Sequence, residues 1–85
     1  MVLTLAQARE LSRLSNETFY VLINDAVSGD PAVYQCWPGG RCVQYAEANM
    51  GSRFFQRYKL RAKECEKRVL VLQQKYERHL QDLGE

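Results

Sequence analysis

The chain has 85 residues, enough for a single domain over 1–85, and a domain of this size buries only about 60–65% of the surface of its unfolded chain. Twelve basic and ten acidic residues give a net charge of +2, which excludes the strongly basic composition typical of a dedicated nucleic-acid binder. No apolar run approaches the ~18 residues of a membrane-spanning helix, and the N-terminus lacks the basic segment of a signal peptide, so we expect a cytosolic chain with reduced cysteines.

The charge is distributed unevenly along the chain. Residues 1–44 hold three basic and four acidic side chains, whereas residues 45–85 hold nine basic and six acidic ones. Within Arg53–Arg68 there are seven basic side chains and two acidic ones. The sequence therefore predicts a local positive patch in the second half of the chain.

The first segment, residues 1–29, is expected to be helical. Thr4 and Gln7 have the spacing of a capping box, in which each side chain accepts a hydrogen bond from the other residue's backbone N–H at the start of a helix. Apolar residues recur at helical spacing from there, and Gly29 fits the position just after a helix end. Because serine favours caps and turns, the segment is either one helix of about 24 residues or two helices that meet at Ser15.

Residues 32–45 are predicted to form a two-stranded antiparallel hairpin. Two short runs of β-forming residues flank a Pro-Gly-Gly turn, and we expect Trp37 to pair with Arg41 across it. Side chains then alternate between two faces, of which the first is the expected core face. The first face carries Val33, Gln35, Trp37, Arg41, Val43 and Tyr45, and the second carries Tyr34, Cys36, Cys42 and Gln44. An isolated hairpin is marginally stable in water, so its apolar face must lie on the helices.

Residues 46–84 are predicted to form one long helix that starts between Ala46 and Ser52. Its apolar residues are spaced by threes and fours and form a stripe about 40 Å long at ~1.5 Å per residue. The stripe consists of Phe54, Tyr58, Ala62, Cys65, Val69, Leu72, Tyr76 and Leu80. The first helix and the hairpin are too short to cover it, so we expect its distal half, Val69–Leu83, to contact another subunit or a partner or to remain a partly exposed stripe. The predicted fold class is α+β, in the order helix, two-stranded antiparallel hairpin, long C-terminal helix.

No enzyme-like constellation of residues appears in the sequence, so we expect no catalytic residue, no metal site and no cofactor. Cys36 and Cys42 face each other across the predicted hairpin, but a metal site needs about four ligands and only Cys65 and His79 remain, both on the far helix. We expect the two hairpin cysteines to act as small hydrophobic side chains, with a disulfide clip as the alternative. His79 is expected at the surface, since no second titratable group is placed to orient it as a catalytic base.

Two groups of side chains are candidate interaction sites. The predicted basic face consists of Arg53, Arg57, Arg61, Lys63, Lys67 and Arg68. The candidate interface residues are Trp37, Arg41, Tyr58, Val69, Leu72, Tyr76 and Leu80. The basic face is either a solvated surface or a contact for an acidic protein or for phosphate groups. Trp37, at the hairpin tip, either anchors a partner or folds back on the chain's own helices.

The run Gly40–Met50 resembles the hairpin-to-helix junction of the tailed-phage head–tail joining proteins of the lambda W type and related small neck proteins. In that family the second strand reads roughly Gly-Arg-x-Val-x-Tyr/Phe and is followed by a short polar turn, Ala-Asp-Leu, and a helix with aromatic residues. The residues that match the strand are Gly40, Arg41, Val43 and Tyr45. Ala48-Asn49-Met50 stands where the polar turn would be, and the helix–hairpin–helix order covers nearly the whole chain.

The resemblance implies a structural head-completion subunit without enzymatic activity. Such proteins form a homo-oligomeric ring under the portal, complete the filled head and receive the tail or the next neck ring. The implied partners are copies of the same chain, the portal protein and the adjacent neck or tail protein, with non-specific contact to DNA in the channel and no membrane. The implied location is the virion neck, and the host cytoplasm during assembly.

A second resemblance is to the small winged-helix excisionases and MerR-type domains. In that interpretation Asn16–Asp25 is a recognition helix and Val33–Tyr45 is the wing of a DNA-binding regulator. A recognition helix presents basic or amide side chains to bases and phosphates, but Asn16–Asp25 contains no basic residue and the wing has only Arg41. The sequence therefore favours the joining protein over the regulator.

A third alternative is a coiled-coil adaptor that dimerises through Tyr58–Leu83. The heptad-like spacing there covers fewer than about four repeats, and the charge pairing that flanks a coiled-coil seam is not clear. This is the least favoured of the three interpretations.

Overall fold

The computed structural model describes residues 2–24, 31–47 and 52–83. Its elements, in chain order, are β1 (Val2–Leu3), α1 (Leu5–Leu14), β2 (Phe19–Asn24), β3 (Pro31–Trp37), β4 (Arg41–Glu47), α2 (Ser52–Glu64) and α3 (Glu66–Leu83). The strands form one four-stranded sheet in the order β1-β2-β3-β4, with β1 parallel to β2 and the other neighbours antiparallel. The predicted order of helix, two-stranded hairpin and long helix is therefore wrong, although the fold combines helices with a largely antiparallel sheet.

The capping box at the start of α1 is confirmed. Thr4 Oγ1 accepts a hydrogen bond from the Gln7 backbone N–H at 3.1 Å, and Gln7 Oε1 accepts one from the Thr4 backbone N–H at 3.0 Å. The helix ends at Leu14, because the next residue, Ser15, is extended and its hydroxyl bonds both the N–H and the carbonyl of Glu17. These side-chain bonds offer the backbone an alternative to another helical turn.

The second part of the first segment is a strand and not a helix. Phe19–Asn24 pairs with β1 on one side and β3 on the other, so both predicted forms of the N-terminal helix are wrong beyond Leu14. A strand that is covered on both faces has apolar residues at consecutive positions. Such a run also contains the three- and four-residue spacings of an amphipathic helix, so the sequence pattern does not distinguish the two. Its aromatic and β-branched residues favour the strand. The predicted helix end at Gly29 lies outside the described residues.

The pairing at the hairpin tip is confirmed, with Trp37 opposite Arg41. Gly39 and Gly40 have φ angles of +98° and +97°, which side-chain-bearing residues rarely adopt. The predicted division into two faces agrees with the register as far as the pair of Tyr34 with Gln44, beyond which a bulge shifts the pairing and Val33 lies opposite Ala46. The expectation of one core face is wrong, because Val33 on one face and Cys36 on the other are both fully buried.

The two sheet faces carry separate apolar clusters. We call them the α1 face and the α2 face, after the helix that covers each. The α1-face cluster contains Leu3, Ala8, Leu11, Phe19, Val21, Ile23, Cys36, Val69 and Leu72, so α3 contributes to it as well. The α2-face cluster contains Val33, Phe55 and Ala62, with Tyr20, Leu22 and Tyr58 packed against it.

The predicted single long helix is two helices. Strand β4 continues to Glu47, and the described helical region begins at Ser52, within the range predicted for its start. It then breaks at Cys65, whose backbone N–H is shared between the carbonyls of Arg61 and Ala62 at 3.2 Å each. The break lets α2 pack on one face of the sheet and α3 pack against α1 on the other. Among the described helices, none combines the length and the apolar character needed to cross a membrane.

Candidate interaction surfaces

Trp37 and Arg41 form a stacked pair at the hairpin tip. The guanidinium carbon of Arg41 lies 5.2 Å from the centroid of the Trp37 ring, within the range of a cation–π contact. Trp37 is half-buried and Arg41 is exposed. The tryptophan is therefore shielded by its cross-strand neighbour, while part of its ring stays accessible.

Three tyrosines from three elements meet on the α2 face of the sheet. The ring centroids of Tyr45 and Tyr58 are 4.4 Å apart, and Tyr20 lies 6.0 Å from Tyr45 and 5.8 Å from Tyr58. Tyr20 and Tyr58 are half-buried, whereas 40% of Tyr45 is exposed. Only Tyr58 was among the candidate residues from the sequence. The alternation of Arg41, Val43 and Tyr45 on one strand face was the signal for Tyr45, and no local signal pointed to Tyr20.

Arg61 adds a positive charge to this aromatic cluster. Its guanidinium carbon lies 5.8 Å from the ring centroids of both Tyr20 and Tyr58. A hydrogen bond with Tyr45, together with burial, raises the pKa of the Tyr58 phenol above its ordinary value, and the charge of Arg61 opposes that rise. The phenol of Tyr58 is therefore uncharged at neutral pH.

The predicted basic face is divided between the two C-terminal helices. Its α2 part consists of the exposed side chains Arg53, Arg57, Arg61 and Lys63, and Lys59, outside the predicted face, is exposed on the same helix. Lys67 and Arg68 belong to α3. Arg68 is occupied internally, since it donates to the Thr18 carbonyl and pairs with Glu17.

The α3 candidates differ sharply in burial. Val69 is 1% exposed and Leu72 is 4% exposed, because both pack into the α1-face cluster. The chain's own core thus occupies these two side chains, contrary to the expectation that a partner covers the stripe from Val69 onwards. Tyr76 is half-buried and Leu80 is 49% exposed, and both line a cleft of about 230 Å³ against α1. Among the four α3 candidate residues, Leu80 is the most exposed.

Comparison of the chain with known protein families, curated proteins and solved structures finds no match. The interpretation of these surfaces therefore rests on the geometry and on the sequence pattern.

Cys36 and Cys42 lie opposite each other on the α1 face, as predicted. Both are free thiols, and Cys42 Sγ lies 4.0 Å from the hydroxyl of Ser12 on α1. Burial, together with a hydrogen bond to Cys42, raises the pKa of the Cys36 thiol far above its ordinary value. A protonated, fully buried thiol is a poor nucleophile and a poor metal ligand, so Cys36 packs as a small apolar side chain.

Proposed function

We propose that this chain is a non-catalytic structural subunit that assembles through protein contacts and that it serves in the neck of a tailed phage, between portal and tail. The observation that carries the proposal is the presence of three half-exposed apolar side chains on α3, spread over more than one side of the helix. Leu70, Val71 and Leu80 are 48%, 51% and 49% exposed on one 18-residue helix. Burial of such side chains in a contact with another chain removes apolar area from water, which favours association.

The phage assignment is supported by the strand pattern. Gly40, Arg41, Val43 and Tyr45 lie in the turn and first five residues of β4, and Val43 and Tyr45 are each 40% exposed. The pattern therefore lies on a surface that is available for contact with a neighbouring subunit. The helix–hairpin–helix order that the resemblance implied is absent, so the assignment depends on this strand and on the exposed side chains.

The fold does not fit the winged-helix regulator. Its recognition helix was placed at Asn16–Asp25, but Phe19–Asn24 is an inner strand of the sheet. Phe19, Val21 and Ile23 are buried there, so these side chains are not available to DNA. The coiled-coil adaptor requires one continuous helix over Tyr58–Leu83, but the helical region breaks at Cys65.

Sedimentation velocity over a range of protein concentrations tests the proposal. We expect the wild-type chain to self-associate, and to do so more strongly when the portal is added. Leu70→Asp combined with Leu80→Asp places charges on the α3 surface without touching the buried core, so we expect a folded chain with reduced association.

The matched control is Leu60→Asp, because Leu60 is a 60% exposed leucine on α2. We expect this variant to associate as the wild type does. A wild-type chain that stays monomeric with and without portal would contradict the proposal. Equal association by the α3 double variant and the wild type would do the same.

A further inference from the structure

The α2 face of the sheet is open near the hairpin. Arg41, Val43 and Tyr45 occupy alternate positions of β4 on this face, and Trp37 and Gln35 pair with the first two of them. Val43 and Tyr45 are each 40% exposed, and Trp37 is half-buried. We call this set, together with Tyr58 and Arg61 of α2, the aromatic platform. It offers partly exposed aromatic rings from β3, β4 and α2.

The charge of the platform has one sign. The guanidinium of Arg41 lies over Trp37, and that of Arg61 lies beside Tyr58. The described side chains of this sheet face include no carboxylate. The exposed α2 residues Arg53, Arg57, Lys59 and Lys63 extend the positive charge beyond the platform.

Rings and guanidinium groups side by side suit a ligand with flat bases and negative phosphates. Unpaired bases stack on aromatic side chains, and arginines bind the phosphates or stack on the bases themselves. A duplex keeps its bases inside the helix, so it can use the charges of such a surface but not its rings. An acidic peptide also meets the charges and leaves the rings without a matching partner.

We propose that the aromatic platform binds single-stranded nucleic acid, with bases stacked on Trp37 and Tyr45 and phosphates held by Arg41 and Arg61. This site is separate from the α3 surface of the assembly proposal. It shares Arg41, Val43 and Tyr45 of β4 with the strand pattern that supports the phage assignment. The α3 variant leaves β4 unchanged and therefore distinguishes assembly from binding at the platform.

Binding of an oligothymidylate of about 16 nucleotides tests the site, since single-strand sites span roughly 4–16 nucleotides. Trp37 is the one tryptophan of the chain, so its fluorescence reports directly from the platform. We expect the oligonucleotide to quench this fluorescence, with an affinity that falls as salt is raised. We expect a duplex of equal length and a polyglutamate peptide to bind more weakly.

Substitutions separate stacking from charge. Tyr45→Ala is expected to weaken oligothymidylate binding about tenfold, whereas Tyr45→Phe, which keeps the ring, should bind nearly as the wild type does. Arg41→Gln is expected to weaken binding more than Arg78→Gln, which removes an equal charge from an exposed position on α3. Circular dichroism and thermal melting verify that each variant is folded.

The assembly variant distinguishes the two proposals. If Leu70→Asp with Leu80→Asp abolishes self-association but leaves oligothymidylate binding unchanged, the platform acts in a single chain, as proposed. The proposal is overturned if the wild type does not bind the oligonucleotide at low salt. Equal affinity for the duplex or for polyglutamate, or equal losses from Arg41→Gln and Arg78→Gln, would also overturn it.

Discussion

Arg68 and Glu17 join the start of α3 to the turn between α1 and β2, with Arg68 Nη2 at 3.2 Å from Glu17 Oε2. Arg68 Nη1 also donates a hydrogen bond to the Thr18 carbonyl at 3.2 Å. The two side chains are 48% and 67% exposed, so solvent screens the ion pair. The hydrogen bond from Arg68 to the backbone carbonyl of Thr18 therefore contributes more to this connection than the ion pair does.

This difference predicts unequal effects of removing the two partners. Arg68→Ala loses both the ion pair and the carbonyl bond, and we expect it to lower the free energy of unfolding by about 1 kcal/mol. Glu17→Gln loses only the ion pair, so we expect a loss of less than about 0.5 kcal/mol. Urea unfolding measures both, with Arg78→Ala as the exposed control. Equal losses in Arg68→Ala and Glu17→Gln would show that the ion pair, and not the carbonyl bond, makes the connection.

The burial pattern of α3 predicts contrasting effects of neighbouring alanine substitutions. Leu72 is 4% exposed in the α1-face cluster, so Leu72→Ala should cost about 2–5 kcal/mol through lost burial and a residual cavity. Leu70 is 48% exposed, and Leu70→Ala should change stability by less than about 0.5 kcal/mol. Thermal and urea melts of the two variants at one protein concentration make the comparison. Similar losses would mean that Leu72 is not a core residue.

The hairpin turn predicts a specific double-mutant effect. Alanine at Gly39 or Gly40 is forced into positive φ, and we expect a loss of about 1–2 kcal/mol at either position. A Cβ at Gly40 also meets Arg13, 3.0 Å from its Nε and 3.2 Å from its Cγ, while a Cβ at Gly39 meets no atom within 4 Å. Gly40→Ala should therefore cost more than Gly39→Ala. In an Arg13→Ala background the two losses should become equal, and a persistent difference would show that Arg13 is not its cause.

The buried thiol predicts a pH dependence of stability. Burial raises the pKa of Cys36 above its ordinary value of 9.0, so at higher pH the unfolded chain loses this proton while the folded chain keeps it. The free energy of unfolding should then fall as pH rises above 9, by up to about 1.4 kcal/mol per pH unit. Below the ordinary value, the contribution of Cys36 should not vary with pH.

Urea melts between pH 7 and about 9.5 measure this slope, below the range in which the raised pKa of Tyr58 contributes. Cys36→Ala should remove most of it, and Cys65→Ala, at a half-buried position, serves as the control. An unchanged slope in Cys36→Ala would assign the pH dependence to another group.

Signals that act over a few residues predicted local structure correctly. Thr4 and Gln7 are three residues apart, and each finds its partner within one helical turn, so the start of α1 could be predicted from the chain alone. The Pro-Gly-Gly turn likewise fixed the pairing of Trp37 with Arg41, and that pairing placed the two side chains in contact at the candidate site. The stack of Arg41 on Trp37 follows from this register.

Contacts between distant residues decided the rest. The apolar run at Phe19–Asn24 fits a helix or a strand, and only its pairing with both β1 and β3 selects the strand. The contact of Tyr20 with Arg61 joins residues from the two halves of the chain, so no local pattern could indicate it.

The sequence by itself determined the helix cap, the hairpin turn with its pairing of Trp37 and Arg41, and the positive charge of the second half, because each depends on neighbouring residues or on composition. Only the tertiary structure decided that Phe19–Asn24 is an inner strand, that the C-terminal helix breaks at Cys65, and that Val69 and Leu72 lie inside. The physical reason is that an apolar stripe shows which side chains favour burial. It does not show which other element of the chain buries them. The sheet has two apolar faces, and the break at Cys65 lets one helical region supply cover to both.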